Sequence, residues 1–298
     1  MATTKKSSRA KTQTSAKITK SAKATKKVTQ TKSVSSVPKS KITIRRSMES
    51  QLRMLTVLTA LLSLVGAVAA GLLMNNTAYQ FVTGLLTKDE LASNATTVFV
   101  PAVHVVANVE LRWIVVVIMI LAAILPLLLL TRLSNYYQAS LKGKVNLLRW
   151  IDTAVVGALI LETVALLSGV NDIMTLKLIG GLVAVTCLLG WLSEKHHARQ
   201  ASTGRGVFVL SLITGALPWL LIASYAAATP IYGFVRSPWY VYALYATTLL
   251  GFTAYCLNNK RFLQNTAADY EKTERNYLQI SLFVKVAFAV ILIVGLQK

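Results

Sequence analysis

Seven stretches of about 20 apolar residues divide most of the chain, which has 298 residues, 54% of them hydrophobic and 14% charged. The stretches run over approximately 54–74, 112–131, 145–168, 174–193, 206–226, 238–257 and 277–296. A helix of this length crosses a bilayer core of ~30 Å. Because that core offers no water to unpaired backbone groups, such segments fold as helices packed on one another. We therefore predict an all-α membrane protein with a bundle of seven transmembrane helices.

Positive charge is concentrated at the start of the chain. The formal net charge is +21, and fifteen of the 32 Lys and Arg residues lie within 1–53. This region is rich in Lys, Thr, Ser and Ala and has almost no large apolar residues, which is typical of disorder. We predict a disordered basic cytoplasmic tail over 1–47, lying on anionic lipid, and a seven-helix domain over 48–298. Nucleic-acid binding by the tail is the less favoured alternative.

The Lys and Arg residues of the connections predict the orientation. If the N-terminus is cytoplasmic, eleven of them beyond the tail fall on the cytoplasmic side and five on the outer side. Positive residues accumulate in cytoplasmic loops. The chain is therefore predicted to be an integral, multi-pass membrane protein with its N-terminus cytoplasmic and its C-terminus extracellular.

The first outer connection, about 75–111, is too long for a simple turn. Its run TVFVPAVHVV, 97–106, is rich in β-branched residues and predicts a strand. Pro101 restricts that strand to an edge or a bulge. We expect a small extracellular β-hairpin between helices 1 and 2. Its edge is expected either to support a homodimer or to form a surface flap without a partner.

Lys285 is the lone charged residue of the last apolar stretch. An ammonium at that depth costs several kcal/mol unless it is paired or neutralised, and a buried lysine amine can form a Schiff base with an aldehyde. Asp152 in the third stretch lies at a matching depth, ~10–12 Å below the same face at 1.5 Å per residue. Two interpretations remain open at this point: covalent attachment of retinal, or a Lys–Asp bridge that only holds two helices together.

Two charged motifs resemble those of the heliorhodopsins. The run KTERNYLQISLFVK, 272–285, resembles that family's seventh-helix signature, and LRWID, 148–152, resembles its third-helix Arg-Trp-x-Glu motif, whose carboxylate is the counterion. Pro218-Trp219 and the region of Asn258 give weaker matches. The resemblance covers roughly 50–298. The family also has a cytoplasmic N-terminus and an extracellular hairpin, the two features that the residues of this chain predict.

The resemblance implies a cofactor and a set of site residues. All-trans retinal is expected on Lys285 as a protonated Schiff base, with Asp152 as its counterion and Trp219 in the retinal pocket. Ser281 lies one turn before Lys285 on the same helix face. Its hydroxyl is expected to bond Asp152 or the Schiff base, the alternative being a bond to a carbonyl of its own helix.

Three departures from the family pattern bear on mechanism. Asp152 stands where the family usually has Glu, and Ser63 and Leu125 occupy the places of two cavity histidines. Glu162 stands at a usually aliphatic position, ten residues or ~15 Å beyond Asp152. A buried acid there is expected either to brace the bundle or to relay a proton outward.

The expected function is light sensing and signalling through a partner that the sequence does not identify. One alternative is a light-driven or light-activated proton transporter that uses Glu162. Another is a retinal-free structural membrane protein. No enzymatic activity, catalytic residue or metal site is expected. In particular, His196 and His197 are predicted beside Glu194 on a solvated cytoplasmic loop.

Overall fold

The structure, a computed structural model, describes residues 39–88, 99–200, 203–233, 236–264 and 269–297. Its helices are α1 (Lys39–Leu73), α2 (Leu111–Leu130), α3 (Ser134–Gly143), α4 (Leu147–Asp152), α5 (Ala158–Leu167), α6 (Ile173–Ala198), α7 (Gly204–Tyr232), α8 (Trp239–Gln264) and α9 (Tyr270–Gly295). A π-helical turn, Thr153–Gly157, joins α4 to α5, so that these three pieces form one span. Two strands, β1 (Ala78–Lys88) and β2 (Phe99–Glu110), lie between α1 and α2.

All seven predicted spans are present as helices long and apolar enough to cross a membrane. The helices extend beyond the apolar stretches, because polar residues in the bilayer interface continue the helical hydrogen bonding. The largest difference is at the start of the chain. The predicted disordered tail extends to residue 47, whereas α1 begins at Lys39, directly after Pro38, a residue type favoured at helix starts. The remainder of the predicted tail, 1–38, lies outside the described residues.

The seven spans close into a ring. α1 packs between α2 and α9, α8 packs on α9, and α6 packs between α7 and the third span. Contacts of α2 with the third span and of α7 with α8 complete the circle. The interior contains a continuous apolar core that includes Ile118, Met119, Leu244, Phe288 and Leu292. Close packing of such side chains, which dispersion favours, holds the bundle together.

The predicted hairpin is confirmed. β1 and β2 pair antiparallel from Ala78 opposite Glu110 to Lys88 opposite Phe99, with a bulge after Phe81. Val82 N donates to Asn171 O at 3.0 Å, which fastens the hairpin to the connection before α6. The hairpin therefore marks one end of the bundle, and the start of α1 lies at the opposite end, which we call the N-terminal face.

The π-helical turn immediately follows Asp152. Its sequence TAVVG combines two β-branched valines and a glycine with Thr153, residue types that form α-helix less readily than straight-chain residues. Thr153 Oγ1 also donates to Arg149 O at 3.0 Å. Such turns change the register of the side chains that follow and occur often at functional sites. Asp152 is thus the last residue of α4 before the register changes.

Candidate functional site

Lys285 and Asp152 meet inside the bundle, as their matching depths predict. Lys285 Nζ donates to Asp152 Oδ2 at 2.7 Å, and the two side chains are only 6% and 12% exposed. The second carboxylate oxygen, Asp152 Oδ1, is buried and has no hydrogen-bond partner in the described part of the chain. Asp152 Oδ1 can therefore accept a hydrogen bond from a further donor.

A small cavity lies beside this pair, and we call it the polar cavity after the hydroxyl-bearing residues Thr56, Thr59, Tyr255 and Ser281 in its lining. Most of its wall is apolar, because the hydroxyl groups of Thr56 and Thr59 donate to carbonyl oxygens of their own helix, at 2.9 and 2.8 Å. Ser281 interacts with the Tyr255 hydroxyl. Among the described residues no hydrogen bond joins Ser281 to Asp152, whose Oδ2 accepts from Lys285 and whose Oδ1 has no partner.

Of the two positions at which the family resemblance implies histidines, Leu125 lines the polar cavity, whereas Ser63 is buried in α1 and is not among the lining residues. The residues that α1 and α2 contribute to the cavity wall are threonine, leucine and proline, none of which titrates near neutral pH.

A second, apolar cavity of about 150 Å³ adjoins the polar one. The two share Thr153 and Tyr255 in their linings. Trp219 lines the apolar cavity, with its ring centroid 6.5 Å from that of Phe252; its place in a retinal pocket stays a prediction. Gly215 also lines it, and a Cβ there would approach Phe252 to 2.8 Å. The glycine thus allows α7 and α8 to approach closely around the cavity.

Three charged residues form a buried cluster on the N-terminal side of the pair. Arg149 forms ion pairs with Glu194, at 2.8 Å, and with Glu274. Asn146 Nδ2 donates to Glu274 Oε1 at 2.6 Å, and Trp150 Nε1 donates to Glu194 Oε2 at 2.8 Å. We call Arg149, Glu194 and Glu274 the charged cluster. Burial of three ionised groups is tolerable because each has charged or hydrogen-bonding partners.

The charged cluster differs from what the sequence predicts. Glu194 was expected beside His196 and His197 on a solvated loop, and this is wrong, because Glu194 lies within α6 and is fully buried. Arg149 and Glu274 enter the sequence argument only as parts of two motifs. The available signal was their position, because Arg149 lies inside the third apolar stretch and Glu274 lies just before the seventh, where an unpaired charge is costly. The ion pair between Arg149 and Glu274, which are more than 100 residues apart in sequence, is visible only in the three-dimensional structure.

Glu162 lies in α5, away from the charged cluster. Its carboxyl group packs over Gly180 of α6, where a Cβ would come within 1.9 Å of Glu162 Oε1. Within the described residues Glu162 takes part in no ion pair. It is a partly exposed acid within a membrane span, whose energetic cost makes it a candidate for function.

The fold is similar to that of a solved photoreceptor domain. The crystal structure of the transmembrane domain of Salpingoeca rosetta rhodopsin phosphodiesterase matches with a TM-score of 0.59 and 15% sequence identity, over 87% of this chain and 88% of that one. At this identity the likeness concerns the fold alone. A comparison with curated protein sequences gives no match.

The ring of seven membrane helices and this likeness define a rhodopsin-like fold. The family model described as Heliorhodopsin matches residues 52–296, so the chain belongs to the heliorhodopsin family. Membership in this family makes it a rhodopsin-type photoreceptor, a class whose chromophore is retinal.

Proposed function

We propose that this protein is a light sensor in which Lys285 binds all-trans retinal as a protonated Schiff base and Asp152 is the counterion. The observation that carries the proposal is the buried 2.7 Å contact between Lys285 Nζ and Asp152 Oδ2. A cation inside a membrane span requires such an anion, and an anion at this distance favours the protonated form of the nitrogen.

The surroundings of Lys285 fit an elongated apolar group with one polar end. Val284 and Gly251 line the apolar cavity, and Lys285 itself lines the polar one. Since Thr153 and Tyr255 border both cavities, a chain attached at Lys285 would continue toward Trp219 and Phe252. Aromatic and aliphatic walls of this kind suit a polyene.

Retinal supplies light absorption and isomerisation when bound. The residues of this chain position it and stabilise its charge. Lys285 Nζ donates to Asp152 Oδ2, so the carboxylate lies beside the nitrogen to which retinal would be attached. Trp219 and Phe252 bound the apolar cavity, so a change of shape there would press on α7 and α8. We propose that these helices transmit the change to a signalling partner and that the protein is not an enzyme.

Reconstitution with retinal tests the proposal. All-trans retinal added to the purified protein should produce a visible absorption band that is absent in Lys285→Ala. Lys260→Ala, which removes an exposed lysine near the end of α8, is the matched control and should retain the band. A folded wild-type protein that gives no band would instead support the retinal-free alternative, in which the Lys285–Asp152 bridge is purely structural.

A light-driven or light-activated proton transporter is the second candidate. The observation that favours it is Glu162, an acid within a membrane span that forms no ion pair in the described regions. Illumination of cells that express the protein, with the external pH recorded, separates the two candidates. A sensor should give no signal that a protonophore abolishes, whereas a transporter should give one.

We further propose that the N-terminus lies in the cytoplasm. We also propose that two copies of the chain form a homodimer through the hairpin edge, and that the basic tail contacts anionic lipid. The excess of Lys and Arg on one side supports the orientation. An epitope placed before Met48 should be protected in intact cells, and one added after Lys298 should be accessible. The reverse accessibility would contradict the orientation.

A further inference from the structure

A third cavity, of about 630 Å³, opens at the N-terminal face between α1, α2 and α3. Ser50, Arg53 and Gln138 contribute polar side chains to its wall. Its inner end reaches Thr56 and Leu129, and both residues also line the polar cavity around Lys285. The two cavities are therefore neighbours that share two lining residues.

Tyr137 provides a second link between the same two cavities. This tyrosine of α3 lines the third cavity, and its hydroxyl donates to Glu274 Oε1 at 3.5 Å. Glu274 in turn lines the polar cavity that contains Lys285 and Asp152. Burial, together with the negative charge of Glu274, raises the pKa of Tyr137. The hydroxyl consequently remains protonated and can act as a donor.

The hairpin end of the bundle also contains polar groups. Thr163 and Ser168 are buried there, Tyr245 donates to Ser168 Oγ at 2.7 Å, and Glu162 lies in the same half. None of these residues lines the polar cavity or the third cavity. A proton route from Lys285 is therefore better supported on the N-terminal side, where those two cavities lie.

We propose that the Lys285 site exchanges protons with the N-terminal face through the polar cavity, with Glu274 and Tyr137 as proton-transfer residues. About 30 Å³ of the polar cavity is available to water centres, enough for roughly two water molecules. The proposal deepens the sensor function above, since it assigns the path by which the nitrogen of Lys285 would lose and regain its proton.

The transfer balances at each group. In the inward direction a hydronium ion in the third cavity gives a proton to the Tyr137 oxygen while the Tyr137 hydroxyl gives its own proton to Glu274 Oε1, so the tyrosine is unchanged and water remains. Glu274 then gives that proton to water in the polar cavity and returns to a carboxylate. The hydronium ion formed there gives the proton to the neutral nitrogen of Lys285. The ion pair with Arg149 and the donor Asn146 hold the carboxylate in place before and after the transfer.

Cysteine labelling tests the passage without retinal. Thr56, which is buried and lines both the polar and the third cavity, is replaced by cysteine, and Leu61, which is 56% exposed on the lipid-facing surface five residues later, gives the matched control. A charged thiosulfonate that enters the third cavity should modify Thr56→Cys at least about tenfold faster than Leu61→Cys, since the reactive thiolate forms only where water reaches. The unaltered chain, with Cys187 and Cys256, gives the background. Equal rates in the two variants would overturn the passage.

Deuterium exchange tests the assigned residues in the pigment. Resonance Raman spectra recorded after transfer into D₂O report the exchange of the proton on the chromophore-bound nitrogen. Tyr137→Phe should slow this exchange about tenfold, because it removes the hydroxyl that supplies Glu274. Tyr136→Phe, at an exposed neighbouring position, should leave it unchanged. Unchanged exchange in Tyr137→Phe would overturn its assigned role. Failure to form any pigment would contradict the proposed function, while the labelling result would still decide whether the passage exists.

Discussion

Replacement of Asp152 by asparagine removes the negative charge nearest to Lys285 and keeps the shape of the side chain. Nζ and Oδ2 are 2.7 Å apart. At an effective dielectric constant of ~20, two unit charges at this distance attract each other by about 6 kcal/mol. Because about 1.4 kcal/mol corresponds to a factor of ten, the protonated nitrogen would lose at most roughly four powers of ten in stability relative to the neutral form. This is an upper bound, because the carboxylate charge is shared by two oxygens.

Absorption spectra recorded during titration with base measure this loss. The wild-type pigment should keep its visible band at neutral pH, whereas Asp152→Asn should absorb in the near-ultraviolet unless an added anion substitutes for the carboxylate. Asp152→Glu retains the charge, one methylene longer, and should retain the visible band. An unchanged titration of Asp152→Asn would refute the assignment of the counterion and make Glu162 the next acid to test.

Three further predictions concern other positions. Glu162→Gln should leave the dark visible band intact, since residue 162 lies ~15 Å from Asp152. If Glu162 is a relay, the same substitution should abolish any light-driven pH change. A large shift of the dark band would contradict both proposed roles of Glu162. Gly190→Ala should lower the unfolding temperature, because its Cβ would lie 2.4 Å from the Trp150 ring, an overlap that typically costs about 1–3 kcal/mol. Gly181→Ala, with open space around it, is the control, and equal melting of the two variants would refute the packing argument. Asp172→Ala should remove the cap of α6, in which the Asp172 carboxylate accepts from Thr175 N at 2.7 Å, at a cost of about 1 kcal/mol. Bonds from Thr175 lower the pKa of Asp172, so this stability is present above the unfolded-state pKa and is lost as the pH falls through the folded-state pKa. Melting temperatures of wild type and variant should therefore converge in acid, and a constant difference would contradict the linkage.

Much of the site was predictable because the constraint on it is local. The cost of a lone charge in an apolar stretch singles out Lys285, and helical rise alone places Asp152 at the same depth. The hairpin was predictable from its β-branched run, and the structure pairs Phe99–Glu110 with the preceding strand. Trp219 was expected in the retinal pocket from its resemblance to a family motif; it lines the apolar cavity, and its contact with retinal stays a prediction.

The charged cluster was not predictable in the same way. A carboxylate near the end of an apolar helix has two acceptable states, solvated or paired, and the sequence of α6 does not distinguish them for Glu194. The choice depends on whether another element brings a cation to it, and here α4 brings Arg149 to 2.8 Å. The same holds for Ser281, whose neighbour Tyr255 comes from α8.

The sequence by itself determined the membrane class, the number of spans, the hairpin and the two charged residues at the centre of the bundle. These follow from the absence of water in the bilayer, which acts on every segment separately. Only the tertiary structure decided which cavities adjoin Lys285, which carboxylates share Arg149, and that Tyr137 reaches Glu274. Those features depend on the packing of side chains from different helices, and no single segment contains the distances that define them.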